Sequence, residues 1–113
     1  MTRRVVKFDL ALLQERGSSV LDPAGVQWWQ DTWDGDITFE PAHVTITAAD
    51  TVAFCHCLEH IKGMRTDGEL QDMWIRSTLG LRNLNGAWKV AHEHNSAPLY
   101  MDGSGRPALD LQP

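Results

Sequence analysis

Residues 70–96, LQDMWIRSTLGLRNLNGAWKVAHEHNS, contain two strand-type runs on either side of a turn. Apolar, β-branched and aromatic residues recur through both runs, which is typical of β-strands. Asn85 and Gly86 form the dipeptide most typical of a tight hairpin turn, because both residues tolerate positive φ. The stretch therefore predicts a long β-hairpin, and it decides the fold class.

Two further strand-type runs precede this hairpin. Residues 37–48, ITFEPAHVTITA, alternate apolar and polar side chains in two phases, and Pro41 stands where the phase changes. Proline cannot donate to a strand ladder, so this position predicts a β-bulge or a kink in an edge strand. Residues 52–64, VAFCHCLEHIKGM, form the next strand, and a short strand is predicted over residues 4–9.

One short helix is expected over residues 23–33, PAGVQWWQDTW. Asp22 before Pro23 is typical of a helix start, because aspartate caps free N–H groups and proline suits the first helical position. Spacings of three and four give the helix one apolar stripe. The stripe consists of Val26, Trp29 and Trp33.

The predicted fold class is α+β, in a single domain of residues 1–113. An antiparallel sheet of four long strands plus a short N-terminal strand is expected beside the helix. Residues 10–22 are predicted to be a loop, and residues 98–113 an extended C-terminal tail rich in proline and glycine. One short helix cannot cover both faces of such a sheet. We therefore expect a homo-oligomer, a dimer or larger, in which a second copy covers part of the sheet.

The composition excludes several classes of protein. With 113 residues, 42% hydrophobic and 22% charged, the chain has the balance of a soluble domain. Its net charge of −5 argues against a nucleic-acid partner, because phosphate contacts need a basic surface. No apolar run approaches the ~20 residues that cross a bilayer, and no signal peptide is recognisable. Cys55 and Cys57 are too few for a disulfide framework, so we expect a reduced, cytoplasmic protein. We also expect no membrane partner and no cofactor.

The last strand places two histidines around a glutamate, HEH at residues 92–94. Side chains alternate along a strand, so the two histidines share one face and Glu93 points to the other. The face of the histidines also has two apolar residues, Trp88 and Val90. The triplet is therefore not one cluster of ligands.

Two registers of the hairpin give the histidines different partners. A two-residue loop pairs Leu84 with Ala87. It sets His92 and His94 opposite Leu79 and Ser77, in that order, which gives a plain apolar core.

A three-residue loop, with Gly86 in a left-handed bulge, pairs Asn83 with Ala87 instead. It sets the polar residues of the last strand opposite others: His92 opposite Thr78, His94 opposite Arg76, and Ser96 opposite Trp74. We favour this register because it gathers a polar strip with aromatic walls on one face. The polar strip consists of Trp74, Arg76, Thr78, His92, His94 and Ser96.

The polar strip, together with Trp29, is the predicted ligand-binding set. Arg76 is suited to hold an anion or an oxygen atom, and a histidine is suited to acid–base work near neutral pH. The catalytic candidates are His92, His94 and Asp9. The same pattern also fits histidines that donate to backbone carbonyls or line an oligomer interface, so both interpretations stay open.

Two other chemistries follow from the same residues. Isomerase-type proton transfer needs a carboxylate base in an apolar cavity, and four carboxylates lie on predicted strands: Asp9, Asp72, Glu59 and Glu93. Two histidines two apart on a strand could also reach one zinc ion. Arg76 nearby would repel a cation, and we expect no metal.

The residues of the last two long strands, Trp74-Ile75-Arg76-Ser77-Thr78 and then NGAWKVAHEHNSAP, resemble the SnoaL-like branch of the nuclear transport factor two-like, or ketosteroid-isomerase-like, superfamily. The upstream segments VKFD, DITFE, DTVAFCHCLEHIKG and TDGELQDMW fit the same branch in order and spacing. The resemblance therefore covers residues 5–111. The ending HEHNSAP is also similar to the association domain of calcium/calmodulin-dependent kinase II.

This resemblance implies a cone-shaped α+β barrel, in which a curved antiparallel sheet wraps around helices and holds a pocket on its concave side. Members include polyketide cyclases, ketosteroid isomerases, dehydratases and epoxide hydrolases, and many form dimers or rings through the sheet. Members usually begin with two helices that close the cone, whereas this chain begins at the strand VVKFD, so either the helices were lost or the chain is a fragment of a longer protein. We therefore expect a neighbouring copy to fill the opening, or an unusually open pocket.

Residues and resemblance together predict a small-molecule-binding SnoaL-like protein. Its ligand would be small, partly apolar and equipped with a carbonyl or carboxylate, and its reaction of the isomerase, cyclase or hydrolase type. The alternative is a non-catalytic oligomerisation or ligand-sensing module built on the same fold. The missing helices favour the module, because catalysis needs an enclosed site, whereas the polar strip favours the pocket.

Overall fold

The computed structural model describes residues 4–10, 13–17 and 23–113. The helix cap predicted at Asp22 lies outside these residues. Within them the chain forms six strands and a helix: β1 (Val6–Phe8), β2 (Glu15–Arg16), α1 (Pro23–Gln30), β3 (Trp33–Ala48), β4 (Val52–Arg65), β5 (Leu70–Leu84) and β6 (Ala87–Ser96).

The six strands form one curved sheet in the order β2-β1-β6-β5-β4-β3. Neighbouring strands are antiparallel except β1 and β6, which run parallel with Val6 beside His92. The predicted α+β class with four long strands is confirmed. Strand β2 lies in the segment that we predicted to be a loop. The prediction missed it because a strand of two residues is too short to show a period in the sequence.

Helix α1 ends three residues before the predicted end. The N–H of Thr32 donates to the carbonyl of Trp29 at 3.1 Å, and the Thr32 hydroxyl donates to the same oxygen at 2.6 Å. Strand β3 then begins at Trp33, which pairs with Arg65. The predicted apolar stripe is kept in part: the rings of Trp29 and Trp33 meet with centroids 5.7 Å apart, whereas Val26 is exposed.

The core lies on the face of the sheet that packs against α1, which we call the inner face; the opposite face is the outer face. Its buried residues come from β3, β4 and β5: Trp33, Ile61, Met73 and Ile75. Trp29 of the helix and Leu109 of the tail pack against them. Burying one such large apolar side chain contributes about 1.5–3 kcal/mol, so this cluster holds α1 on the sheet.

The C-terminal tail folds back on itself. The N–H of Ala108 donates to the carbonyl of Pro98 at 2.7 Å, and Leu99 forms an isolated bridge with Pro107. This turn brings Leu109 to the core and leaves Ala108 only 2% exposed. The tail is therefore part of the cover of the inner face.

A large part of the inner face has no cover among the described residues. Ile46 on β3 is 69% exposed, and Trp88 on β6 is 44% exposed, although both side chains lie on this face. Their strands extend beyond the reach of an eight-residue helix. The mismatch between one short helix and a long sheet is thus as the sequence predicts.

The hairpin between β5 and β6 has a different register from the one we favoured. Leu84 pairs with Ala87 across a two-residue turn, in which Asn85 has φ 54° and Gly86 has φ 87°. Positive φ at both central residues is the condition for a tight primed turn, so the predicted three-residue loop is wrong. An extra residue, Ala91, instead makes a bulge inside β6.

This bulge changes the partners of the last strand. His92 lies opposite Gly80, His94 opposite Thr78, and Ser96 opposite Arg76, each displaced by two residues from the favoured pairing. A displacement of two keeps the residues of the polar strip on one face, because alternation along a strand has a period of two. The bulge reverses the alternation, however, so Trp88 and Val90, which were predicted to share the face of the histidines, lie on the opposite face. The predicted partners and the predicted face of Trp88 and Val90 were wrong, but the shared face of His92 and His94 was right.

Strand β3 has register shifts between Asp34 and Thr38 and between Ala42 and Thr45. The second shift follows Pro41 directly and includes His43, which has φ 53°. The predicted irregularity therefore falls just after the proline. No helix within the described ranges is long and apolar enough to cross a membrane.

Candidate functional site

The polar strip lies on the outer face, opposite the helix. Arg76 points away from its neighbours Ile75 and Ser77, which are both 4% exposed and belong to the inner side. The bulge at Ala91 moves the two histidines of β6 to the outer side too, whereas a regular strand would place them on the inner side. Trp29, which was predicted to join them, packs on the inner core and is separated from the strip by the sheet.

The polar strip is held together by short contacts between strands. The Nε of Arg76 donates to the hydroxyl of Ser96 at 3.1 Å. Phe8 of β1 presents its ring edge-on to His92 at 5.0 Å and to His94 at 5.4 Å between centroids. These contacts join β1, β5 and β6 on the outer face.

His92 has a structural contact of its own. Its Nδ1 donates to the backbone carbonyl of Val6 at 2.7 Å, and the ring is half-buried. This bond ties the parallel pair β1–β6, as in the interpretation in which a histidine donates to the backbone. His94, by contrast, is exposed.

Trp74 has a different partner from the one expected. Its ring stacks on His60 with centroids 4.7 Å apart and an interplanar angle of 5°. His60 Nε2 in turn lies 2.5 Å from a carboxylate oxygen of Asp72. Trp74 therefore belongs to a group on β4 and β5, away from Ser96.

The inner face has a second polar cluster, which we call the inner polar patch. It lies between the core under α1 and the uncovered part of the sheet. Strands β1, β6, β5 and β4 contribute its members: Lys7, Asp9, Glu93, Asn95, Ser77, Cys57 and Glu59.

Lys7 holds the patch together through two ion pairs. Its ammonium lies 3.2 Å from a carboxylate oxygen of Asp9 and 3.5 Å from one of Glu93. Burial by itself lowers the pKa of Lys7, but the charges of Glu93 and Asp9 outweigh burial and raise it. Lys7 therefore stays charged, with an anion on each side.

Asp9 is anchored by hydrogen bonds that favour its ionised form. Burial by itself raises the pKa of Asp9, but the backbone N–H of Leu10 at 2.8 Å, together with Lys7 and Asn95, lowers it overall. Asp9 is thus a fixed anion, and it was one of the catalytic candidates from the sequence.

Asn95 bridges the two carboxylates. Its Nδ2 donates to Asp9 at 3.3 Å and to Glu93 at 3.5 Å. Its Oδ1 is buried and has no hydrogen-bond partner within the described residues. A buried acceptor without a donor is uncommon in folded proteins and needs an explanation.

Glu59 has the opposite electrostatic environment from Asp9. Burial first, and then the negative charge of Glu93, raise the pKa of Glu59. Burial and the charge of Glu59 also raise the pKa of the Cys57 thiol. The patch therefore combines the ion pairs of Lys7 with a carboxyl group, that of Glu59, whose pKa is raised.

A cleft lies at the ends of β1 and β6, beside the patch. Its volume is about 510 Å³, and Asp9 and Asn95 form part of its wall. Phe8, His94 and Ser96 line it from the other side of the sheet edge. Residues of both the inner polar patch and the polar strip therefore line the cleft.

The described residues contain no group of three or more histidine, cysteine or acidic side chains that could hold a metal ion. Cys55 and Cys57 are free thiols, and alternation along β4 puts them on the inner face, away from His56. CHC at residues 55–57 is therefore not one chelating group.

Sequence reasoning missed several members of the patch: Lys7, Ser77, Asn95 and Cys57. Glu59 and Glu93 were considered only as possible bases. Alternation on β6 places Glu93 and Asn95 on one face, and that signal was available. The contact of Lys7 with Glu93 could not be predicted, because the paired residues of β1 and β6 lie more than 80 positions apart along the chain.

The chain is similar to known proteins over most of its length. A family model for the SnoaL-like domain matches residues 16–100. An NTF2-like protein of unknown function from Pseudomonas putida KT2440 is 34% identical with a TM-score of 0.85, over 99% of this chain and 77% of that chain. None of the curated proteins compared with the chain matches it.

Two more distant structures share the fold. A ketosteroid isomerase-like protein from Erwinia carotovora atroseptica is 18% identical with a TM-score of 0.65, over 84% of this chain and 73% of that one. The association domain of C. elegans CaMKII is 14% identical with a TM-score of 0.62, over 84% of this chain and 73% of that one. Fold and family model agree, and the chain belongs to the SnoaL-like family within the NTF2-like fold.

Proposed function

We propose that this protein binds a small, partly apolar molecule over the inner polar patch, and that Glu59 moves a proton on that molecule. The observation that carries the proposal is the environment of Glu59, a half-buried carboxyl whose pKa is raised by burial and by Glu93. A general base works best when its pKa lies near the operating pH, and burial is the usual way to bring a carboxyl there.

The surroundings of the patch suit such a ligand. Leu79 and Cys55 flank it on the uncovered side, and the exposed Ile46 continues the same row of the sheet. Binding sites for small molecules are mostly apolar with a few well-placed polar groups. The inner polar patch and the apolar residues beside it together have that composition.

The relatives support a reaction of this kind without naming it. The fold is shared with a ketosteroid isomerase-like protein, and proton transfer next to a carbonyl is the chemistry that a raised carboxyl pKa serves. A carbonyl on the ligand remains our prediction for this protein.

Exchange of the α-protons of cyclohexanone in D2O, followed by NMR, tests the proposal. The native protein should accelerate this exchange above the buffer rate. Glu59→Gln should remove the acceleration, because an amide cannot take the proton. Thr78→Ala, on the outer face of the neighbouring strand, should keep it.

Either of two results would overturn the role of Glu59: Glu59→Gln with undiminished exchange, or equal loss in Thr78→Ala. Both variants should first be shown to fold, by the same thermal unfolding curve shape as the native protein. Exchange at the buffer rate with native protein, together with no binding of cyclohexanone by NMR, would overturn the proposed function as a whole.

A second candidate function is association of copies of the chain through the outer face. It is supported by the fold shared with the CaMKII association domain and by the exposure of Arg76 and His94 on that face. In this case the polar strip contacts a second copy of the chain. Binding of a small molecule by the polar strip stays a prediction. Sedimentation of the native protein and of Arg76→Ala with His94→Ala should show an oligomer that the double variant shifts to a smaller species. A native monomer would end this candidate.

A further inference from the structure

We propose that the outer face binds an aromatic carboxylate over Gly80, with the ring between Phe54 and His92 and the carboxylate at Arg82 and Lys89. Gly80 on β5 pairs with Phe54 of β4 on one side and with His92 of β6 on the other. Arg82 follows two residues later on β5, opposite Lys89. We call these five residues the Gly80 cradle. The cradle is a second site, because the sheet separates it from the inner polar patch.

Unpaired positive charge at one end of the cradle is the first argument. Arg82 and Lys89 are direct cross-strand partners, and both side chains are exposed. Within the described residues neither forms an ion pair with an acidic side chain. Like charges directly opposite each other on a sheet are destabilising. A carboxylate bound by both cations would relieve that repulsion, and a guanidinium group suits its two oxygens.

The surroundings of this pair have no acidic side chain to compete with the ligand. The chain has a net charge of −5, but its acidic residues are unevenly placed. The outer-face positions of β5 and β6 from residue 76 to residue 96 carry none. Asp72, on the same face, stands at the far end of β5. The local charge is therefore positive although the whole chain is acidic, and this favours an anionic ligand.

The shape of the sheet surface at Gly80 is the second argument, and it is independent of charge. A Cβ at Gly80 would meet only Cβ of His92, at 3.5 Å, and its backbone oxygen, at 4.0 Å. No atom of Phe54 comes within 4 Å of that point. The His92 ring is held toward β1, because its Nδ1 donates to the carbonyl of Val6 at 2.7 Å. The space above Gly80, between Phe54 and His92, is therefore open.

The side walls of this space suit a flat ring. Phe54 is 49% exposed, so its ring is available to a ligand, and the half-buried imidazole of His92 lies across from it. Aromatic side chains bind other rings in stacked or edge-on arrangements. Residues two apart on a strand are separated by about 7 Å, so a ring over Gly80 places its carboxylate within reach of the long side chain of Arg82. The two halves of the cradle thus define one class of ligand.

Three probes separate the two halves: benzoate, benzamide and acetate. Each is titrated into the full chain at pH 7, with the backbone amide resonances of Gly80 and Phe54 as reporters. Benzoate should bind about fivefold more tightly than benzamide, the upper end of what exposed ion pairs contribute. Acetate, which has no ring, should also bind several times more weakly than benzoate. Raising the salt concentration should reduce the advantage of benzoate over benzamide.

Variants test each half of the cradle. Arg82→Gln should reduce the preference for benzoate over benzamide to less than about twofold. The matched control is Lys62→Gln, which removes an exposed cation of the same face on β4 and should keep the preference. Gly80→Ala should weaken the binding of benzoate and leave that of acetate unchanged, because its methyl group occupies the space proposed for the ring.

Four results would each overturn the inference: no binding of benzoate, equal affinity for benzoate and benzamide, a preference that survives Arg82→Gln, or a preference lost in Lys62→Gln. Undiminished benzoate binding by Gly80→Ala would overturn the position of the ring. Resonance shifts centred on Leu79 and Cys55 would also overturn it, because the ligand would then lie on the inner face. None of these results bears on proton transfer by Glu59, which is tested by exchange on cyclohexanone.

Discussion

The inner and outer faces of the sheet differ although the same strands build both. Ile75 and Arg76 are neighbours on β5, yet Ile75 is 4% exposed in the core and Arg76 is exposed on the other side. Acidic groups and Lys7 gather on the inner face, whereas histidines and Arg76 gather on the outer face. Burial therefore contributes to the pKa shifts of the charged groups on the inner face, whereas Arg76 and His94 on the outer face are exposed to water.

The largest expected effect tests whether stability comes from the inner face. Ile75→Ala should lower the free energy of unfolding by about 2–5 kcal/mol, because it leaves a cavity in the core under α1. Arg76→Ala, one residue away, should cost at most about 1 kcal/mol, since its bond to Ser96 is exposed. Denaturant unfolding measures both. Equal losses would remove the distinction between the two faces.

A smaller effect is expected from two glycines on opposite faces. A Cβ at Gly63 would lie 2.9 Å from Cε3 of the Trp33 ring, whereas a Cβ at Gly80 would meet only Cβ of His92, at 3.5 Å, and its backbone oxygen, at 4.0 Å. Gly63→Ala should therefore cost about 1–3 kcal/mol through overpacking of the core. Gly80→Ala should be neutral or slightly stabilising, because alanine loses less backbone entropy in a strand. Melting temperatures of the two variants measure the difference, and a lower value for Gly80→Ala would contradict it.

The smallest effect is a pH dependence within the inner polar patch. The pKa of Glu59 is raised in the folded chain, so its contribution to stability is full below its unfolded pKa of about 4.3 and is lost as the pH rises through the folded pKa. Glu59→Gln should therefore melt above the native protein at pH 7, and the gap should close near pH 4.

Asp9→Asn is the matched control with the opposite sign. The pKa of Asp9 is lowered, so its contribution is present above its unfolded pKa of about 3.9 and is lost as the pH falls through the folded pKa. The variant should melt below the native protein at pH 7, with the gap closing in acid. Thermal unfolding between pH 3 and 8 measures both, and shifts of the same sign at pH 7 would show that the two carboxyls share one environment.

Much of the fold could be predicted because it depends on local patterns. The turn at Asn85 and Gly86, the four long strands and the shared face of His92 and His94 all follow from residue type and alternation. The partners across the hairpin could not be predicted. They depend on the bulge at Ala91, and alanine has no preference that marks a bulge.

The candidate site was less predictable than the fold. A polar strip stands out in the sequence because its residues lie close together on two adjacent strands. The inner polar patch does not, because Lys7 and Asp9 reach Glu93 and Asn95 only through the parallel pairing of β1 with β6. A contact between distant segments has no local signature, and it is formed only when the whole sheet closes.

By itself, the sequence determined the class of fold, the long strands and which side chains share a face within each regular stretch of strand, since these depend on alternation and turn chemistry. Only the tertiary structure decided which face receives α1 and the tail. That choice separates a covered core from the exposed Arg76 and His94 of the polar strip. The physical reason is that burial is a property of what packs against a strand, which the strand's own residues do not contain.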